Sequence, residues 1–156
     1  MKGVLACDPG KSGGFALLTE SGQLEVFKTP QTLKDMVSFS RGASLWCRTQ
    51  VTPVIEKVGS MPSDGKKALF TFGGWTYAQT MALIALTDRE PLVVTPREWQ
   101  EHFGLYGAKY RGTKSAQKTA KKNVHKAVAE KLYPGHKFTH YTADAALIAH
   151  YARTLA

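Results

Sequence analysis

Cysteine is scarce in this chain: Cys7 and Cys47 are the only two among 156 residues. Cys7 falls in an expected strand and Cys47 in an expected helix, which suggests two free thiols in a reducing, cytoplasmic setting. Long apolar runs are missing too. The longest, Met81 to Leu86, is far short of the roughly 20 residues a membrane-spanning helix needs. The "VLAC" at residues 4–7 has the form of a bacterial lipoprotein cleavage site. Too few residues precede it for a charged region and an apolar one of about 7–15 residues, so no signal peptide is expected. There is no internal repeat and no linker-like stretch. With 43% hydrophobic and 21% charged residues, residues 1–156 read as a single domain able to bury a core, not as a disordered chain.

Acidic residues are also in short supply. Twelve Asp and Glu face 21 Lys and Arg, a formal charge of +9. The imbalance is local: residues 107–137 carry nine Lys or Arg against the single acid Glu130, leaving the rest of the chain near neutral. These are Lys109, Arg111, Lys114, Lys118, Lys121, Lys122, Lys126, Lys131 and Lys137. A basic patch on an otherwise balanced domain is the footprint of a polyanion partner such as nucleic acid; a solubilising surface is the plainer alternative.

Residues 3–8, 13–19 and 23–28 read as three strands joined by short turns, hence an antiparallel meander. A helix over 31–47, with Thr29 or Thr32 near its cap, precedes a β-branched strand at 51–58. A loop at 59–65 leads to a helix at 73–87, and "PLVVT" (91–95) reads as a buried strand. "PREWQEHFG" has proline in a helix's first turn and glycine at its end, and helices over 114–132 and 142–154 follow. The meander followed by strand–helix alternation predicts an α/β fold with a mixed five-stranded sheet flanked by helices.

Within this frame three acids stand out. Asp8 follows an apolar run and precedes Pro-Gly, Glu56 ends "PVIE", and Asp144 opens the apolar stretch "DAALIAHYA". Each alone has an ordinary explanation: a turn cap for Asp8, an edge or ion-paired position for Glu56, a helix-start acid for Asp144. Burying an unpaired carboxylate costs several kcal/mol, on the order of 3–5, so buried acids tend to be paired or metal-bound. Three together, two of them near strand ends where α/β sheets bind ligands, point to a divalent-cation site of hard oxygen donors suited to Mg²⁺ or Mn²⁺.

The ordered set "ACDPGKSGGFAL", "VIEKV", "KKNVHKAVAEKLYP" and "HYTADAALIAHYA" resembles the motifs of the RuvC-type Holliday junction resolvases. These belong to the RNase H-like superfamily, and the phage-encoded members and the plant chloroplast resolvase are the most similar. The likeness runs from residue 3 to about residue 152. It implies an RNase H-like nuclease that cuts four-way DNA junctions by paired symmetric nicks, in a bacterial, phage-infected or organellar setting. It also implies Asp8, Glu56 and Asp144 as metal ligands, with Lys122 as the functionally important lysine. In many members an Asp or His stands three residues before the final acid. Here that position is Tyr141, and His140, four residues before Asp144, is the substitute if positions i and i+4 share a helix face; an exposed helix-start histidine is the alternative.

Two cations about 3.5–4 Å apart would activate water and stabilise the leaving oxygen, with Asp8 bridging them. Lys109, Arg111, Lys114, Lys118, Lys122 and Lys126 would follow phosphates. Ala116, Ala120, Val124 and Val128 are expected to face the sheet, with Lys114, Lys118, Lys122 and Lys126 opposite. Met61, Phe70 and Phe72, placed in the loop after Glu56, are candidates for apolar wedges at a junction centre, or for core packing. Gly10, Gly13 and Gly14 either form the hairpin or admit a DNA backbone. One site per domain and two strands to cut imply a homodimer, with helix 73–87 as its surface unless core burial explains that pattern. Three other readings remain: a less specialised nuclease of this fold acting on branched or flap DNA or RNA hybrids, a non-catalytic DNA-binding relative, and an actin- or sugar-kinase-like protein, which needs a second domain.

Overall fold

The computed structural model describes residues 3–42, 50–59 and 65–155. Its five strands are β1 (Gly3–Asp8), β2 (Gly14–Leu18), β3 (Leu24–Lys28), β4 (Val51–Glu56) and β5 (Leu92–Val94). They form one mixed sheet in the order β3-β2-β1-β4-β5. The meander β1–β2–β3 is antiparallel, while β4 and β5 run parallel to β1. Among the described residues the helices are α1 (Leu33–Arg41), α2 (Lys66–Thr87), α3 (Pro96–His102), α4 (Lys114–Leu132) and α5 (Ala143–Arg153). No helix among the described residues is long and apolar enough to cross a membrane.

Strand alternation splits the core in two. Leu5, Cys7, Val51 and Ile55 meet Met36 of α1 and Ala82, Leu83 and Leu86 of α2. On the opposite face Val4, Ala6, Ala16, Leu18 and Val54 pack against Trp99 of α3, Ala129 of α4 and the small residues of α5. Those alanines (Ala143, Ala145, Ala146, Ala149, Ala152) are all buried, and they let α5 lie close over the central strands. At Gly14 a Cβ would collide with the Tyr141 carbonyl oxygen, so only glycine fits where the chain enters α5.

Local chemistry explains the helix starts. The Thr32 hydroxyl accepts from the Asp35 backbone N–H at 3.1 Å. Thr95 and Glu98 form a reciprocal capping box with Pro96 in the first turn of α3. Four expectations need correction. Helix α2 begins at Lys66, so Phe70 and Phe72 lie on a helix and not in a loop. Strand β5 is a sheet edge, with Leu92 and Val93 exposed and only Val94 buried. In α4 the inward face is turned from the one expected: His125 and Ala129 are buried, Ala116 and Val124 are exposed, and Lys122 is half-buried. The apolar residues of α4 are too small and scattered to dictate its orientation by themselves. Finally, α5 begins at Ala143, one residue from its expected start, so His140 precedes the helix and does not share a helix face with Asp144. Cys47 and Met61 lie outside the described residues.

Candidate active site

Parallel pairing of β1 with β4 sets Cys7 opposite Ile55, so Asp8 and Glu56 stand at the next step of the same ladder. Adjacent strands are about 4.8 Å apart, and a period of two puts both acids on the face of Val4, Ala6 and Val54. That is the face covered by α5, whose first turn carries Asp144. All three carboxylates are half-buried. The Asp8 carboxyl is held well above its ordinary value, first by burial, then by the nearby Asp144 and Glu56 carboxylates, with Lys122 opposing the shift. Glu56 is also raised, chiefly by burial, against the Trp99 hydrogen bond; Asp144 adds to the rise, while Lys121 and His125 oppose it. Mutual repulsion of this kind is the physical mark of a site that gathers negative charge.

Two of the acids have dedicated donors that sequence reasoning missed. The Trp99 indole N–H donates to Glu56 Oε2 at 2.6 Å. His125 Nδ1 lies 2.7 Å from Asp144 Oδ1. The two rings meet edge to face, with centroids 5.3 Å apart. His125 stands three residues beyond Lys122 on the same helix, a spacing that places it on the same side; placing Lys122 in a phosphate-facing stripe opposite the sheet hid that signal.

The turn after Asp8 is built, not merely permitted. Gly10 has φ +107°, in the region that favours glycine, and a Cβ there would come within 2.8 Å of the Phe72 ring. A Cβ on Gly13 would collide with the Asp8 carbonyl oxygen, so the glycines serve the hairpin. Fully buried Gln79 clamps the turn from α2. Its Oε1 accepts from Gly10 N at 2.7 Å, and its Nε2 donates to Gly10 O at 3.2 Å and Thr29 Oγ1 at 2.8 Å.

Asp8 and Asp144 open onto a cleft of about 810 Å³, bordered also by Lys11, Phe72, Trp75 and Lys122. Lys122 thus joins the acids, and its ammonium lies 3.5 Å from the His140 carbonyl oxygen. The His140 side chain goes elsewhere: Nε2 is 2.7 Å from Asn123 Oδ1. Because α5 starts at Ala143, the helix-face argument that paired His140 with Asp144 does not hold. Phe70 is 86% exposed, which removes the core-packing explanation for it. Lys109 and Arg111 are exposed on the approach to α4. Lys114 and Lys118 border a separate hollow with Tyr106, Tyr110 and Lys121. Lys126 pairs with Glu130 at 3.5 Å.

An all-carboxylate donor set beside a lysine suits a hard divalent cation. Among the described residues no three such groups enclose one ion by themselves. No family model matches this chain, and no curated protein matches it.

Proposed function

We propose that the chain is a divalent-metal-dependent endonuclease of RNase H-like fold. Its substrate is four-way DNA junctions, which it resolves by paired symmetric nicks. The observation that carries the metal-dependent reading is the placement of Asp8 and Glu56 side by side on one sheet face, beneath Asp144, with their carboxyls raised by burial and mutual repulsion. Asp8, Glu56 and Asp144 would hold Mg²⁺ or Mn²⁺, which when bound neutralises charge and activates water for phosphodiester hydrolysis. Lys122 offers a positive charge to a phosphate entering the cleft, and Phe72 and Trp75 offer apolar walls to bases beside it. Choice of the junction as substrate rests on the RuvC-type resemblance; fold alone does not fix substrate.

The paired nicks call for two copies. Helix α2 turns Phe70, Tyr77 and Met81 outward, and Tyr77 shares a concavity with Val93 of the exposed edge strand β5. We take this apolar surface as the homodimer contact. The enzyme would act in the cytoplasm of a bacterial or phage-infected cell. Incubation with four-way, flap, duplex and RNA–DNA hybrid substrates plus Mg²⁺, alongside sedimentation of the free protein, tests the reading. Symmetric nicks on the four-way substrate by a dimer support it. Equal cutting of flaps or hybrids would favour the less specialised nuclease, and a monomer making paired cuts would overturn the dimer.

A further inference from the structure

Glu56 and Asp144 sit on different elements, a strand and a helix, and their like charges repel. Asp144 lines the cleft with Asp8, whereas Glu56 lines the neighbouring hollow with Tyr77 and Val93, so something must hold both carboxylates close to Asp8. Trp99 on α3 and His125 on α4 are 1% and 2% exposed. Each reaches one oxygen of one acid, at 2.6 and 2.7 Å, and the two rings pack on each other. Four elements therefore meet through one pair of side chains. Neither ring borders the cleft, so neither touches a substrate there.

Simple packing does not account for this choice of residues. An apolar side chain would fill the His125 site without leaving a heteroatom stranded, yet His125 Nε2 is buried with no hydrogen-bond partner among the described residues. Among the described residues the ring's one hydrogen-bond partner is Asp144, through Nδ1.

We propose that His125 and Trp99 are positioning residues, which lock the Asp144 and Glu56 carboxylates into one arrangement competent to bind a divalent cation. The proposal rests on the metal-dependent reading above and names what organises that site. Outer partners of metal ligands typically govern metal affinity by about 10–100-fold.

The test uses the full chain without DNA and reads free Mn²⁺ by electron paramagnetic resonance during titration, with thermal melts run in parallel. His125→Leu fills the space without a donor, Trp99→Phe removes the indole N–H while keeping a ring, and His125→Asn restores an N–H near Nδ1. The expected result is a Mn²⁺ affinity about 10–100-fold weaker in His125→Leu and Trp99→Phe, with His125→Asn recovering most of the loss. The melting temperature of His125→Leu should fall only modestly, since losing the stranded Nε2 offsets part of the cost of leaving half-buried Asp144 without its partner. If His125→Leu fails to fold, Trp99→Phe carries the same comparison. Parent-like Mn²⁺ affinity in either folded variant overturns the positioning role, as does a loss in His125→Asn equal to that in His125→Leu. Absence of Mn²⁺ binding in the parent, both free and with a DNA junction bound, overturns the metal-dependent reading itself, a separate and recognisable outcome.

Discussion

Replacing Gln79 by Leu keeps the bulk at a fully buried position and strips three hydrogen bonds from the turn behind Asp8. The Gly10 carbonyl retains a donor, because Gly13 N–H reaches it at 3.0 Å. The Gly10 N–H and the hydroxyl of buried Thr29 lose the partner that Gln79 supplied. A buried group left unsatisfied costs about 1–3 kcal/mol, so the two together predict a loss near 3 kcal/mol. For a domain of this size that corresponds to a fall in melting temperature of about 6–12 °C. Urea unfolding reads the loss directly, as a lower midpoint with an unchanged slope. Adding Thr29→Val to Gln79→Leu removes one stranded group and should recover about 1 kcal/mol. Cleavage should suffer as well, since Asp8 lies two residues before the clamped glycine. A loss below about 1 kcal/mol for Gln79→Leu would refute this accounting of the turn.

Lys122→Ala should leave the melt nearly unchanged and reduce the slope of log junction affinity against log salt by about one unit; an unchanged slope with normal cleavage would assign Lys122 to solvent. Asp8 has its proton affinity raised by folding. The native state therefore holds a proton that the unfolded chain releases, and stability falls as pH rises from the ordinary aspartate range through the raised value. Asp8→Asn should thus melt higher than the parent at neutral pH in metal-free buffer, with the difference vanishing below about pH 3.9; a lower melt at neutral pH would contradict the electrostatics.

Much of this architecture is legible in the residues, because local signals and the fold agree. Thr95, Pro96 and Glu98 mark the start of α3, and the ends of α4 and α5 fall close to where their patterns end. The positions of Asp8 and Glu56 after apolar runs place them near strand ends, where the sheet holds them. What stayed hidden depends on tertiary contact. The expected helix began at Gly73, yet α2 starts at Lys66 and runs through Gly73 and Gly74 at a cost of about 1 kcal/mol each, anchored by its buried Gln79, Leu83 and Leu86. Trp99 and His125 become meaningful only when α3 and α4 fold onto the two acids. His140 misled because Thr139 and Thr142 bond to each other ahead of α5: the Thr139 N–H donates to Thr142 Oγ1 at 3.1 Å, and the two hydroxyls lie 3.3 Å apart. The helix starts beside its expected residue 142, and His140 stands ahead of it, off the face that the spacing argument assumed.

The central claim is that Asp8 holds metal for catalysis and is more than the cap of a Pro-Gly turn. Asp8→Asn preserves the shape and removes the charge. The decisive measurement compares parent and variant on a four-way DNA junction, recording nicking in Mg²⁺ and junction affinity in parallel. The account predicts that nicking falls by about a hundredfold or more, while affinity, which rests on the lysine-rich segment, is kept or tightened. Nicking at the parent rate by a folded Asp8→Asn would contradict it.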